Sequence, residues 1–329
     1  MANLPYAIMI VVALSLLFDY INGFHDTANA IATVVSTLAL SPRHAIFMSA
    51  ILNFAGALYK TAVAKTIAKD IVSASLVTQE VVIGALIGAI LWNLFTWYFG
   101  IPSSSSHAII GGVMGASIAK AGFHVLNWSG ISKMFAALVV SPIVGALLGL
   151  IVAYLFILLF GRYAPSKVNR TFRFTQILTA ALLSFNHGSN DAQKSMGIIT
   201  LALLSGGMIS TAEVPLWVKL ACAAAMTAGT AAGGWRIIRT LGSKVFKIQP
   251  LYGCAAELGA STIIWGATML GLPVSTTHVV SGSIIGVGAA KRISAVRWGI
   301  AREMLIAWIV TIPITAGIGA LAYYILHLL

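Results

Sequence analysis

The sequence predicts an all-α, polytopic membrane protein made of two inverted repeats of about six hydrophobic segments each, with broken or re-entrant helices meeting at the midplane. Three observations lead there. Of 329 residues 59% are hydrophobic and only 9% charged, with a mean hydropathy of +0.95, whereas soluble domains carry about a quarter charged residues. Apolar stretches approaching the ~20 residues needed to span a bilayer recur from Leu4 onward, so almost nothing is left over for a soluble domain. Two short motifs also occur twice, in the same order and at nearly the same spacing.

The first apolar segment covers about 4–21. Met1–Leu17 lacks the basic start and small-residue cleavage site of a secretory signal ahead of the polar run from Asp19 to Asp26, so it reads as a membrane helix. Further segments follow at about 27–40, 45–64, 79–99, 104–119 and 134–160, with counterparts from 174 onward. Residues 1–160 and 174–329 are therefore assigned as the N- and C-terminal transmembrane repeats, joined by a short basic linker, 161–173, that carries Arg162, Lys167, Arg170 and Arg173. The formal net charge is +12, with most basic residues between apolar segments, as contact with anionic headgroups and the setting of topology require. Nucleic-acid binding needs more than charge and is not expected. Cys222 and Cys254 sit singly, so neither a disulfide framework nor a metal site is suggested.

The repetition locates the chemistry. Gly23-Phe24-His25-Asp26 recurs as Gly188-Ser189-Asn190-Asp191, 165 residues on. Gly100-Ile101-Pro102-Ser103-Ser104-Ser105-Ser106-His107 recurs as Gly271-Leu272-Pro273-Val274-Ser275-Thr276-Thr277-His278, 171 residues on, and Gly111 and Gly115 fall on Gly282 and Gly286. The segment after each Gly-x-Pro is short and glycine-rich. Irregular backbone at membrane depth is tolerated only where it lines a cavity or is buried in protein, and paired interruptions in two halves point to a transporter's binding site. An odd number of crossings per half makes the repeats inverted, the arrangement expected here.

An ionised carboxylate at the bilayer centre costs at least ~2.5–3.5 kcal/mol on insertion scales, so Asp26 and Asp191 need partners. Their neighbouring glycines are expected to let the backbone unwind, and Asn22, Asn29, Asn186 and Asn190 offer amide oxygens for a hard cation, sodium or a proton being the natural occupant. N-capping by each aspartate is the plainer alternative. Lys194, at the position of Asn29, either pairs with an aspartate or snorkels outward. The hydroxyl runs Ser104–Ser106 and Ser275–Thr277 read as helix N-termini whose free N–H groups and hydroxyls would surround a tetrahedral oxyanion. His107 and His278 either donate to that anion or make structural bonds. Asp19 and Asn53, further polar residues in apolar segments, line the path or bond across helices.

These motifs closely resemble those of the inorganic phosphate transporter (PiT) family, whose duplicated signature matches Asn22-Gly23-Phe24-His25-Asp26-Thr27-Ala28-Asn29 and His187-Gly188-Ser189-Asn190-Asp191. The resemblance covers nearly the whole chain. It implies inverted repeats in the cell membrane and symport of phosphate with sodium or protons, the paired aspartates at cation sites and the paired Ser/Thr motifs at the anion. No cofactor is implied beyond sodium as co-substrate, and a homodimer is compatible with it. The halves differ at His187 for Asn22 and at Val274 for Ser103, which argues against strict equivalence of ligands. The nearest rival substrate is sulfate, which cannot donate hydrogen bonds as phosphate can. A carboxylate facing the anion would therefore favour phosphate. An intramembrane aspartyl protease gives no reason for the duplicated Ser/Thr-His motifs, and a Ser106–His107 hydrolase fails because adjacent helical side chains point about 100° apart. A passive channel would not accumulate its solute against a gradient.

Overall fold

The computed structural model describes residues 4–72 and 77–328, which form twelve α-helices. The first half comprises α1 (Leu4–Ser36), α2 (Pro42–Tyr59), α3 (Ala62–Asp70), α4 (Gln79–Phe99), α5 (Ser105–Ala121) and α6 (Trp128–Phe160). The second comprises α7 (Pro165–Ser205), α8 (Leu216–Ala232), α9 (Trp235–Arg239), α10 (Pro250–Met269), α11 (Thr276–Lys291) and α12 (Trp298–Leu328). Among the described residues four helices are long and apolar enough to cross a membrane, and two bent pairs raise this to six: α2 with α3, at 63°, and α8 with α9 and the π-helical turn Thr240–Lys244, at 61°.

Two expectations are corrected. Segments 4–21 and 27–40 are one helix, because the polar run between them does not unwind: α1 passes unbroken through Gly23, as α7 does through Gly188. Segment 45–64 divides at Lys60 into α2 and α3. Of the basic stretch 161–173 only the residues up to Ala164 are non-helical; Pro165, with its fixed φ, starts α7.

What the motif glycines provide is close approach. A Cβ on Gly23 would run into the Met226 carbonyl of α8, and one on Gly188 into the Asn53 carbonyl of α2. The same exchange appears at the second motif, where Gly111 and Gly115 press on α12 at Ile312 and Ala316 while Gly282 and Gly286 press on α6 at Pro142 and Ala146. Each half thus packs its small-residue faces on the other: α1 on α8 and α2 on α7, α5 on α12 and α11 on α6. Backbones that meet this closely gain dispersion contacts and weak Cα–H···O bonds, the main attractions left between helices in lipid.

The Gly-x-Pro motifs turn the chain inward. Gly100 and Gly271 adopt left-handed φ of 67° and 69° at the ends of α4 and α10, a conformation glycine takes without a Cβ penalty. Pro102 and Pro273 follow, and α5 and α11 then start among buried residues. Val139, Ile143 and Leu147 of α6 and Leu305 and Ile309 of α12 are exposed and line an apolar cavity of about 760 Å³ that reaches His107 and His278.

Candidate substrate and ion site

Asp26 and Asp191 occupy the middles of the continuous helices α1 and α7, both buried. One ligand atom from each, together with one from His187, lies within 4.8 Å of the other two. The two motif copies therefore build a single centre.

Donors converge on Asp26 from three directions. His25 Nδ1 lies 2.8 Å from Oδ1, the Ser105 hydroxyl donates to Oδ2 at 2.8 Å, and the Thr277 hydroxyl donates to Oδ1 at 3.1 Å. Ser105 opens α5 of the same half, whereas Thr277 opens α11 of the other. Asp191 is held differently. Lys194 Nζ pairs with its Oδ1 at 2.9 Å, the Thr276 hydroxyl donates to Oδ2 at 3.2 Å, and Asn22 Nδ2 and His187 Nε2 stand 3.5 Å from Oδ2. Lys194 does not snorkel: it is fully buried, and its ammonium also donates to Ser105 Oγ at 2.9 Å. Ser105 thereby links Lys194 to Asp26, and the two carboxylates share one ammonium-centred network.

The asparagines split between two faces. Asn22, Asp26 and Asn29 share one face of α1, and Asn29 Nδ2 donates to Thr277 Oγ1 at 2.8 Å. Asn186 and Asn190 do not meet Asp191, because adjacent helical side chains diverge by about 100°. They face α10, where Asn186 donates to the Ser261 carbonyl at 3.2 Å and Asn190 to Thr268 Oγ1 at 3.0 Å. The carbonyl oxygens of all four amides are buried without a hydrogen-bond donor among the described residues. Buried polar atoms in folded proteins are mostly paired, so the orphaned oxygens of Asn22 and Asn29 on the Asp26 face suit a cation, while those of Asn186 and Asn190 lie on the α10 side.

Ser104 and Ser275 cap their helices, their hydroxyls accepting from the His107 and His278 amides at 3.1 and 3.2 Å. The Ser106 hydroxyl donates to the Val274 carbonyl at 2.8 Å and ties the two helix starts together. At Ser105, Ser106, Thr276 and Thr277 the first-turn amides have no intrahelical acceptor and carry the positive end of each helix dipole. His107 and His278 stack on each other with ring centres 4.5 Å apart, and His278 also stacks on Trp308. Asn53 Oδ1 meets His187 Nδ1 at 3.0 Å and so orients that ring toward Asp191.

Two participants carried no expectation. His25 bridges Asp26 to Thr96 of α4, at 3.1 Å on its second nitrogen. Glu257 of α10, fully buried, accepts from Thr33 at 2.5 Å, from Gln176 at 3.0 Å and from Thr179. Its signal in the sequence was a lone acid in an apolar segment.

Residues 22–319 match the model of the phosphate transporter family. The chain belongs to this family. A protein of Bacillus subtilis described as "Probable low-affinity inorganic phosphate transporter" is 54% identical over 98% of this chain and 97% of its own. One of the same description from Rhizobium meliloti is 48% identical over 98% of both. Among solved structures, one titled "The sodium-dependent phosphate transporter" superposes with a TM-score of 0.89 at 25% identity, covering 98% of this chain and all of its own. As a member of the phosphate transporter family the chain is a multi-pass membrane transporter and not an enzyme.

Proposed function

We propose that this phosphate transporter is a cation-coupled symporter, driven by sodium, whose repeats 1–160 and 174–329 are inverted and meet at the site. The observation that carries this reading is the meeting of two helix N-termini, α5 and α11, with two carboxylates, Asp26 and Asp191. Free amides, and the hydroxyls of Ser105, Ser106, Thr276 and Thr277 on turning from the acceptors they hold in this structure, are the anion's donors; the capping hydroxyls of Ser104 and Ser275 preserve the two helix ends. Asp26 and Asp191, with the amide oxygens of Asn22 and Asn29, are the cation's ligands, and Asn186 and Asn190 extend that set toward α10. Acceptors beside the anion favour phosphate over sulfate, because only phosphate retains protons to donate. Coupling follows from desolvation: an anion next to unneutralised carboxylates is repelled strongly at low dielectric, so cation binding precedes or accompanies anion binding.

His25, 2.8 Å from Asp26, favours proton coupling as the second reading, since an imidazole in contact with a carboxylate is a ready proton relay. Labelled phosphate uptake into proteoliposomes separates the two. Accumulation under an inward sodium gradient alone, undiminished by excess sulfate, supports sodium-phosphate symport, and accumulation only under a proton gradient supports the second reading. Asp26→Asn is expected to lower cation-driven uptake by about tenfold or more, the scale of a hydrogen bond to a charged group; unchanged uptake would remove Asp26 from the mechanism.

A further inference from the structure

Beyond the paired motifs, α1 bears a buried polar stripe: Ser15, Asp19, Asn22, Asp26, Asn29 and Thr33, spaced three or four residues apart on one helical face. The stripe covers about 27 Å at ~1.5 Å per residue, most of a hydrocarbon core ~30 Å thick. Asp19 stands out within it. Fully buried, it forms no ion pair among the described residues, and its nearest donors, the Ser195 hydroxyl and the Cys222 thiol, face it without reaching full hydrogen-bond geometry. Its neighbours repeat the pattern: Ser15 Oγ, one turn before it, Asn22 Oδ1, one turn after it, and Ser195 Oγ of α7, which faces it, are all buried and unpartnered. The nearby Lys194 ammonium is committed to Asp191 and Ser105 at 2.9 Å each. Asp19 thus lies in an oxygen-rich cluster with no cationic side chain committed to it, about 10 Å along α1 from Asp26.

We propose that Asp19, with Ser15 and Ser195, forms a further cation station that binds sodium, separate from the ligands at Asp26 and Asp191. A proton on Asp19 would satisfy one of these oxygens, whereas a hard cation satisfies several at once. With one carboxylate among neutral oxygens, a monovalent ion closes the charge balance and a divalent one does not. Cys222, whose thiol also faces Asp19, adds a soft atom that sodium does not require. Lying on the α1 stripe, the station places a cation about 10 Å from Asp26.

The inference rests on the sodium-coupled reading above, and its test separates the two. Equilibrium binding of radioactive sodium to the purified protein is compared between wild type and Asp19→Asn, alongside the sodium dependence of phosphate uptake in proteoliposomes. The variant is expected to bind one sodium fewer per chain and to need about tenfold more sodium for half-maximal uptake, since charge count tunes cation affinity. Equal sodium binding by the two proteins, with the same half-saturating sodium, overturns the station and leaves the symport reading standing. A wild type that binds no sodium overturns both. Should Asp19→Asn fail to fold, Ser195→Ala decides, as it keeps the charge and removes one ligand: weaker sodium binding supports the station and unchanged binding overturns it.

Discussion

Lys194 is the residue whose chemistry departs most from the symmetry of the two halves. Where α1 has an amide at Asn29, α7 has an ammonium that makes a buried ion pair with Asp191. Removing one member of a buried pair strands the other's charge, at a cost of ~3–5 kcal/mol. Lys194→Met should accordingly lower the melting temperature in detergent markedly, and adding Asp191→Asn should restore part of the loss. A single variant that melts like wild type would mean that Asp191 is satisfied by Thr276 and His187 without its ammonium. At this scale much of the site was legible. Both aspartates stood out as charges in apolar sequence, and the serine and threonine runs stood out as helix starts. What could not be read was pairing across the chain, such as Asn22 reaching Asp191 or Thr277 reaching Asp26. Neither partner's local sequence encodes the other.

At the scale of elements, the glycines beside the aspartates were read as loosening the backbone, yet α1 and α7 are unbroken there. A local sequence cannot distinguish a glycine that bends a helix from one that admits a neighbour. The distinction lies in a carbonyl from another helix, Met226 for Gly23 and Asn53 for Gly188. Overpacking such a contact typically costs ~1–3 kcal/mol. Gly188→Ala should therefore reduce thermal stability and folded yield, whereas Gly299→Ala, with nothing within 4 Å of the added carbon, should leave both near wild type. Equal behaviour of the two variants would show that the α2–α7 approach is slack. The α5 and α11 starts, by contrast, were legible to within a residue, because a proline followed by hydroxyl residues is itself the capping chemistry.

At the scale of the molecule, repetition in the sequence announced two halves, and the structure adds that neither half is closed by itself. The exposed turn before Pro165 is the natural place to divide them. Chains 1–163 and 164–329 expressed together are expected to recover phosphate uptake and to co-purify, and neither is expected to transport alone; uptake by one half would contradict the exchanged packing. The exchange also has a consequence for synthesis. The second half is made after the first, and at ~5–20 residues per second its 165 residues (165–329) take about 8–33 s to emerge. For the first 68 of those residues, about 3–14 s, α1 lacks the completed α7 and α8, so Asp19 and Asp26 lie in a half-built protein whose surroundings are lipid or the insertion machinery. The faces that later become the transport route are, at birth, the ones most in need of shelter.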